Sequence, residues 1–417
     1  MRHYAFKINN ILLQWHGMTG GERGGGMKTK NYPWRYGWFL GMYYMANGIY
    51  QGYASKYFEA TGMSTAMLSV ILAFTPLVSI FAQPLWGTVG DRARSRNRVL
   101  SVLIIASAAL VLLYRVSNSF WWLLPMSIFF SATYTSIQPM GDSIVLEALS
   151  PENHAFGPLR MMGTISFALT NLIWGLILTP GRMNLVVYMT AIMLMMVLVS
   201  TRVLPQTEGH QSSTGRKMNM TAILKMRHMP GLLVLLMLLQ LTMGYFYSFF
   251  SIYFTAMPGG SSRLLGLCYF MSAMSEIPFL LNADRLFEKL GAGKLLSVAA
   301  IALTLRWIIL GTCHNVYAVM ASQLLHGWGF IVMTVSMAKY VSATIPDELK
   351  ASGQMLISVV GFGIARVFGI LGGGLVADAM GSVQKGFLLM AIISGAGLLA
   401  FVPRYLAMKP LNGKSEV

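Results

Sequence analysis

Long apolar segments, each followed by a short polar stretch, recur along most of the chain. A helix that crosses a membrane needs about 20 mostly apolar residues. Segments of about this length lie near 36–55, 66–86, 99–115, 121–144, 162–180, 184–204, 231–254, 264–283, 294–313, 316–340, 354–376 and 386–405. They are too long and too uniformly apolar to be buried strands, which run about 4–8 residues. The pattern predicts an all-α membrane protein with twelve transmembrane helices.

The apolar segments fall into two groups of six, separated by a longer polar stretch. The predicted divisions are a tail 1–33, a helical bundle 34–204, a loop 205–230, a second bundle 231–405 and a tail 406–417. Short motifs repeat between the two bundles. The pairs Asp91-Arg92 and Asp284-Arg285, and Pro151-Glu152 and Pro346-Asp347, recur at nearly the same separation. Such repeats are typical of transporters built from two related halves, so we expect pseudo-symmetric six-helix halves.

Composition supports a membrane protein and excludes several other classes. Hydrophobic residues make up 55% of the chain and charged residues 11%, whereas soluble domains carry about 25% charged residues. The two cysteines, Cys268 and Cys313, lie in apolar segments and have no metal-ligand spacing, so we expect buried free thiols. No Walker motif, nucleophile–base arrangement or zinc pattern is present. We therefore expect no enzymatic activity, no cofactor and no metal.

The net charge of +17 predicts topology rather than a nucleic-acid partner. Lysine and arginine concentrate in alternate loops, for example within 92–98 and 202–227, and are sparse in the loops between. Cytoplasmic loops of membrane proteins carry such an excess of basic residues. The pattern predicts a multi-pass protein of the cell membrane with both termini in the cytoplasm, and we expect a monomer. Residues 1–26 fit neither a helix nor a signal peptide, so we consider Met27 an alternative start.

The loop after the second apolar segment carries a family resemblance. Gly87, Asp91, Arg92 and Arg96 match a Gly-x-x-x-Asp-Arg signature, although Arg94 replaces a second glycine and Asn97 a basic residue. The signature resembles that of the major facilitator superfamily of transporters. The resemblance implies that these four residues, and Asp284 with Arg285 in the second half, form contacts that gate the cytoplasmic side.

A few ionisable residues lie inside the apolar segments. They are Asp142, Arg160, Glu276, Arg306, His326 and Arg366. An Asp, Lys or Arg at the centre of a membrane helix costs about 2.5–3.5 kcal/mol, and such residues generally face a partner or a polar cavity. We therefore expect them to surround a substrate site, although purely structural ion pairs are an alternative. Protonation of one of the acids could couple transport to a proton gradient.

These residues also carry a closer resemblance, to the oligosaccharide:proton symporter family. The matching segments are Gln83–Gly87, Phe156–Gly163, Leu305–Ile309 and Leu324–His326. The resemblance implies that Arg160, with Asp142 as its acidic partner, binds sugar together with His326. It further implies that Arg306 is essential and that Glu276 links sugar binding to protonation.

The chain departs from that family at several positions. Gly329 replaces the proton-carrying acid, Gln323 replaces a lysine, and Phe167 occupies the position of the aromatic ring that stacks on sugar. Asn47 and Gln51, one turn apart in the first segment, could bind hydroxyl groups. The segments around Asp142 and Glu276 also resemble nucleoside:proton and phenylpropionate permeases.

We expect a secondary active transporter that moves a small polar solute by proton symport and alternating access. A sugar or oligosaccharide is the preferred candidate for the solute. Uptake of a nucleoside or an aromatic acid, and drug:proton antiport on the same fold, remain alternatives. The absence of a Gly-Pro pair between Gly163 and Gly175 favours a symporter over the antiporter. A membrane enzyme, or a sensor that binds ligand without transport, is the alternative from another class. The proton could be carried by Glu276, Asp142 or His326, and the sequence does not decide among them.

Overall fold

The computed structural model describes residues 32–152, 154, 156–209, 223–226, 228–345 and 349–406. Met27, most of the polar stretch 205–230, the Pro346-Asp347 pair and the tail from residue 407 lie outside these ranges. Within them the secondary structure is helical and contains no strand.

Fourteen α-helices are assigned in the described ranges. They are α1 Arg35–Ala60, α2 Thr65–Arg92, α3 Arg96–Leu112, α4 Phe120–Leu149, α5 Gly157–Ile177, α6 Leu185–Ser200, α7 Met229–Ala256, α8 Ser262–Met274, α9 Ile277–Thr312, α10 Val316–Ser322, α11 Val332–Thr344, α12 Lys350–Ile357, α13 Arg366–Ala379 and α14 Val383–Leu406. Two π-helical segments, Gly327–Ile331 and Ser358–Ala365, precede α11 and α13.

Eight helical stretches of the described chain are long and apolar enough to cross a membrane. They are Thr65–Arg92, Arg96–Arg115, Leu185–Val203, Met229–Ala256, Ser262–Thr312, Val316–Thr344, Gly353–Ala379 and Val383–Phe401. This confirms an all-helical, multi-pass membrane protein. Helices α1, α4 and α5 are long but less apolar, because polar and aromatic side chains interrupt them. The crossing of the membrane by twelve helices therefore stays a prediction.

The predicted segments 264–283 and 294–313 lie in one continuous helical stretch that is interrupted twice. Gly291 has φ +73° and ψ 168°, which are not helical values. This region of backbone space is nearly restricted to glycine, so a sharp change of direction is possible there. The first interruption, between α8 and α9, is at Ser275 and Glu276 and comes just before Pro278, whose ring has no N–H to continue a helix.

Helix contacts form within the first six helices, within the remaining eight, and between these two sets. Among the first six, α1 packs on α5 and α6, α2 on α4, and α3 on α4 and α6. Among the remainder, α9 packs on α14 and α11, and α7 on α13 and α14. Helix α5 packs on α8, and α2 on α13, across the two sets. A cavity lies between the sets, where α1, α4 and α5 face α7, α8 and the π-helical segments.

The contacts between the two sets concentrate at one end of the molecule. Ser55 and Ser251, near the last turns of α1 and α7, have their hydroxyl oxygens 2.8 Å apart. Gly175 at the end of α5 is so close to α8 that an added Cβ would lie 2.8 Å from Gly266 Cα. These residues lie at the helix ends remote from the loop 92–98. We call the end that carries this loop the basic-loop face and the other the closed face.

Candidate functional site

The central cavity has a volume of about 410 Å³ and collects most of the intramembrane residues that the sequence singled out. Its lining includes Asn47, Gln51, Arg160, Phe167, Glu276, His326 and Arg366. They come from α1, α5 and the start of α13, from the interruption between α8 and α9, and from the residue just before the first π-helical segment. A cavity of this size is in the range of sites that enclose small organic molecules.

Arg160 enters the cavity from the first turn of α5. Its guanidinium carbon lies 4.4 Å from the centre of the Tyr44 ring, a cation–π contact. Its Nη1 is buried and has no hydrogen-bond partner among the described residues. A buried guanidinium without an anionic partner is costly, so this group is suited to bind a ligand.

Asp142 does not pair with Arg160 within the described part of the chain, in contrast to the expectation from the resemblance. It lines an adjoining cavity of about 470 Å³. Gln138, one turn earlier on α4, lies between the two charges. Its Nε2 donates to Tyr44 Oη at 2.9 Å and lies 3.4 Å from Asp142 Oδ2. Tyr44 and Gln138 therefore connect Asp142 to Arg160 indirectly. Asp142 Oδ1 is buried and has no hydrogen-bond partner among the described residues.

Arg306 lies behind the cavity wall rather than in the cavity and is 0% exposed. Its Nη1 lies 2.9 Å from His326 Nδ1, and its Nη2 donates to Gln323 Oε1. Its guanidinium carbon lies 4.0 Å from the centre of the Phe246 ring. Arg306 thus contacts His326, which lines the cavity, but does not line the cavity itself.

The contact with Arg306 determines the tautomer of His326. An arginine N–H can only donate, so Nδ1 must accept and neutral His326 carries its hydrogen on Nε2. Nε2 lies 3.5 Å from Glu276 Oε1 and 3.4 Å from Tyr247 Oη. The three side chains Glu276, His326 and Arg306 therefore form a connected series from the cavity to the core.

Local irregularities in the backbone bring Glu276 and His326 together. Glu276 lies at the interruption between α8 and α9, and the π-helix starts directly after His326. Ser275 Oγ accepts the N–H of Gly327 at 2.9 Å, and a Cβ on Gly327 would collide with the Ser275 carbonyl. π-Helical turns are frequent at functional sites. Only a glycine at position 327 allows these two segments to approach so closely.

Arg366 faces the same cavity from the start of α13. Its Nε donates to Gln240 Oε1 at 3.2 Å. Its guanidinium carbon lies 5.1 Å from the centre of the Tyr247 ring and 5.0 Å from that of Phe362. Within the described ranges no carboxylate is in ion-pair distance of this group. Neither Gln240 nor Tyr247 was singled out as a site residue from the sequence, because neutral side chains in an apolar helix are unremarkable.

Asn47 and Gln51 lie one turn apart on α1, as the spacing predicts. Asn47 is buried and its Oδ1 accepts a hydrogen bond from Tyr134 at 3.0 Å. Gln51 has an exposed side chain and lines both the central cavity and a neighbouring one of about 340 Å³. Gln51 is therefore freer than Asn47 to bind a ligand.

The predicted gating residues form two groups at the basic-loop face, one on each set of helices. Asp91 and Arg96 form an ion pair, and Arg96 Nη1 lies 3.0 Å from Glu147 Oε2. On the other set of helices Asp284 pairs with Lys339. Arg92 and Arg285 are exposed. These three ion pairs connect α2 to α3, α3 to α4, and α9 to α11, each within one set of helices rather than across the two sets.

Gly87 makes no close contact with another described helix, although the resemblance implies that it takes part in gating contacts. An added Cβ there would meet no atom within 4 Å, whereas one on Gly90 would lie 3.0 Å from Met140 Cε. A cavity of about 230 Å³ lies beside Gly87, Asp91 and Arg96. Open space at Gly87 is consistent with helices that are separated at this face.

Asn97 replaces the usual basic residue of the signature and anchors the chain that follows α6. Its Nδ2 donates to the Pro205 carbonyl at 2.9 Å, and its Oδ1 accepts the N–H of Thr207 at 3.0 Å. The N–H of Arg96 donates to the Thr207 carbonyl at 3.0 Å. The start of the polar loop is thus fastened across the α2–α3 turn.

The cavities form a path from the centre towards the basic-loop face. Gln138 lines the central cavity and the 470 Å³ cavity, and Gln83 lines the latter and the 230 Å³ cavity beside Asp91.

In the described ranges no group of three or more histidine, cysteine or acidic residues could hold a metal ion. Cys268 and Cys313 are free cysteines; Cys268 is buried as predicted, whereas Cys313 is only partly buried, so the prediction of a buried thiol is wrong there.

Comparison with known proteins agrees with this architecture. A maltose permease of Geobacillus stearothermophilus is 25% identical over 348 residues, or 83% of this chain and 88% of the relative. A probable 3-phenylpropionic acid transporter of Escherichia coli is 24% identical and covers 74% of this chain and 81% of its own length. A crystal structure of a mutant of the nucleoside transporter NupG aligns with a TM-score of 0.81 at 16% identity, over 91% of this chain and 100% of that one.

The family assignment rests on a match over most of the sequence. Residues 33–388 match the model of the MFS_1 like family. The relatives with names are permeases and transporters rather than enzymes. The chain therefore belongs to the MFS_1-like family of the major facilitator superfamily and is a membrane transporter.

Proposed function

We propose that the protein is a proton-coupled secondary active transporter that takes up a small polar organic solute across the cell membrane. The observation that carries this proposal is the central cavity, in which Arg160 and Arg366 face Glu276 and His326. A sugar or oligosaccharide is the first candidate, supported by the maltose permease relative. An aromatic acid is the second, because Phe167, Phe330 and Phe362 line the cavity and a relative is a probable phenylpropionic acid transporter.

Glu276 is the proton carrier that the geometry supports best. If His326 took up a proton at Nδ1, it would lose the hydrogen bond from Arg306 and place two cations in contact. Glu276 can take up a proton without that conflict, and its neutralisation would weaken the contact with His326 Nε2. Asp142, which lines the adjoining cavity, is the second candidate.

Alternating access would proceed by rocking of two six-helix halves about the central cavity. The cavities continue to the basic-loop face, whereas Ser55, Ser251, Gly175 and Gly266 bring the helices together at the closed face. With the basic loops and both termini in the cytoplasm, this arrangement corresponds to an inward-open monomer. The ion pairs of Asp91 and Asp284 would change partners when that face closes.

The decisive experiment is solute uptake by membrane vesicles with an imposed inward proton gradient, using Glu276→Gln. We expect the variant to lose proton-driven accumulation, because an amide cannot take up the proton, but to keep solute exchange across the membrane. Glu288→Gln is the matched control, since Glu288 is an exposed acid of α9 that lines none of the described cavities and takes no part in the ion pairs of the gating residues. It should accumulate solute like the wild type.

The outcomes separate the alternatives. Unchanged proton-driven accumulation in both Glu276→Gln and Asp142→Asn would contradict the assignment of coupling to these acids. Export of dyes from cells, driven by the proton gradient, would favour an antiporter. Ligand binding without any flux in reconstituted vesicles would favour a sensor and contradict transport altogether.

A further inference from the structure

The charges around the central cavity do not balance. Three arginines, Arg160, Arg306 and Arg366, are set against two acids, Asp142 and Glu276. Neither Arg160 nor Arg366 has a carboxylate within ion-pair distance among the residues described. His326 cannot supply a negative charge. The wall therefore holds at least one positive charge in excess, in a region where an unpaired charge is costly.

When the coupling acid is protonated, the excess becomes larger. Neutral Glu276 would leave three arginines against Asp142 alone. The loaded state that a symporter must form would then carry a net charge of about two in the cavity wall unless the solute supplies an anion. A neutral sugar does not remove this charge, whereas one carboxylate halves it.

Arg366 has the geometry of a carboxylate anchor. The rings of Tyr247 and Phe362 hold its planar guanidinium, and Gln240 engages its Nε. Its two terminal amino groups donate no hydrogen bond to any residue that the structure describes. A guanidinium presents its amino groups in a fixed fork that matches the two oxygens of a carboxylate.

We infer that the transported solute is an organic anion, whose single carboxylate binds Arg366 and is further attracted by Arg160. The rest of the solute lies towards Phe167, Gln51 and Glu276, where aromatic and polar groups are both available. This inference rests on the proposed function and narrows its substrate class to carboxylated solutes, whether a sugar acid or an aromatic acid.

The charge of the solute has a consequence for energetics. Uptake of one monovalent anion with one proton moves no net charge across the membrane. A pH gradient should then drive accumulation, and a membrane potential should not. Uptake of a neutral sugar with one proton moves one positive charge and should respond to both.

The first arm of the test measures binding to the purified full-length protein in detergent. Matched pairs differ only in a carboxylate: maltobionate and maltose, glucuronate and glucose, 3-phenylpropionate and 3-phenylpropionamide. A ligand that binds the folded state raises the unfolding temperature. We expect at least one acid, and not its neutral partner, to stabilise the protein. Arg366→Gln should weaken the binding of that acid about 10- to 100-fold, the loss expected for a hydrogen bond to a charged group.

Two further variants distinguish a charge effect from misfolding. Arg366→Lys keeps the charge but loses the fork, so it should weaken binding less than Arg366→Gln. Arg263→Gln removes an exposed arginine just after the first residue of α8, far from the cavity, and should bind the acid like the wild type. If no acid stabilises the protein, or if a neutral partner binds as tightly as its acid, the inference is wrong.

The second arm measures uptake of the bound acid into proteoliposomes under a pH gradient alone or a potassium-diffusion potential alone. Arg366→Gln proteoliposomes correct for passive entry of the uncharged acid. Accumulation with the pH gradient only supports the inference. Accumulation of a neutral sugar driven by both gradients would overturn it and leave the proposed symport intact. Arg366-dependent binding of the acid without proton-driven uptake would contradict the symport and leave the anion site standing.

Discussion

At the scale of single residues, Gln323 explains how Arg306 is tolerated in the core without a described carboxylate partner. Its Oε1 accepts from Arg306 Nη2, and its Nε2 donates to the Val319 carbonyl at 2.9 Å. The resembling symporters have a lysine at this position. A lysine here would place an ammonium group against the guanidinium, so the chain has a neutral acceptor instead.

This arrangement predicts that Gln323→Lys is far more destabilising than Gln323→Met. Both variants remove the acceptor of Arg306, but only the lysine adds a second buried cation. An uncompensated buried charge costs about 3–5 kcal/mol, so the unfolding temperature of the lysine variant should fall well below that of the methionine variant. Fluorescence-detected thermal unfolding in detergent measures the difference. Equal unfolding temperatures would show that the charge at Arg306 does not govern this site.

The sequence alone located most of the charged residues at the cavity, because a charge in an apolar segment is conspicuous. Arg160, Glu276, His326 and Arg366 all line it. It could not reveal that Gln138 and Tyr44 separate Asp142 from Arg160, because hydrogen-bond partners depend on packing between helices. Neutral participants such as Gln240 carry no comparable signal in the sequence.

At the scale of helices, interruptions rather than lengths position the site. Each predicted apolar segment overlaps a helix of the described chain, but length and composition identify only eight spanning stretches there. Helices α1, α4 and α5, which carry other side chains of the cavity, are not among these eight. The interruptions beside Glu276 and at Gly291, and the π-helix after His326, depend on backbone geometry that apolar periodicity does not encode.

Gly291 provides the element-scale prediction. Its positive φ is strained for any residue with a side chain, so Gly291→Ala should destabilise the protein by about 1–3 kcal/mol. Gly372→Ala is the matched control, because Gly372 is helical and exposed and has open space around an added Cβ. Alanine favours helix over glycine by up to about 1 kcal/mol, so this control should be neutral or slightly stabilising. Thermal unfolding of both variants measures the contrast, and a similar loss in both would contradict a special role for Gly291.

At the scale of the whole molecule, the structure corresponds to one state of the proposed transport cycle. In this state the closed face is shut and the cavities lead to the basic-loop face. Contacts between the two sets of helices include Ser55 with Ser251 and α5 with α8. For the central cavity to open at the closed face, these contacts must separate. Their integrity therefore reports which state the protein occupies.

A pair of engineered cysteines can measure that occupancy. In a protein with Cys268→Ser and Cys313→Ser, the pair Ser55→Cys and Ser251→Cys should form a disulfide under mild oxidation, because the native hydroxyl oxygens are 2.8 Å apart. The pair Gln83→Cys and Met355→Cys lines the 470 Å³ cavity from α2 and α12 and should cross-link far less. Loss of alkylatable thiols measures the yield for each pair.

Gly175→Val should then lower the yield of the Ser55–Ser251 pair several-fold. A Cβ added at Gly175 would lie only 2.7 Å from the Ser262 carbonyl oxygen. The branched side chain of valine would therefore force α5 away from α8. Because the central cavity lies between the same sets of helices, the lost contact should open the closed face rather than unfold the protein. An unchanged yield in a folded Gly175→Val protein would mean that this glycine contact does not hold the face closed, and that Ser55 and Ser251 approach independently of it.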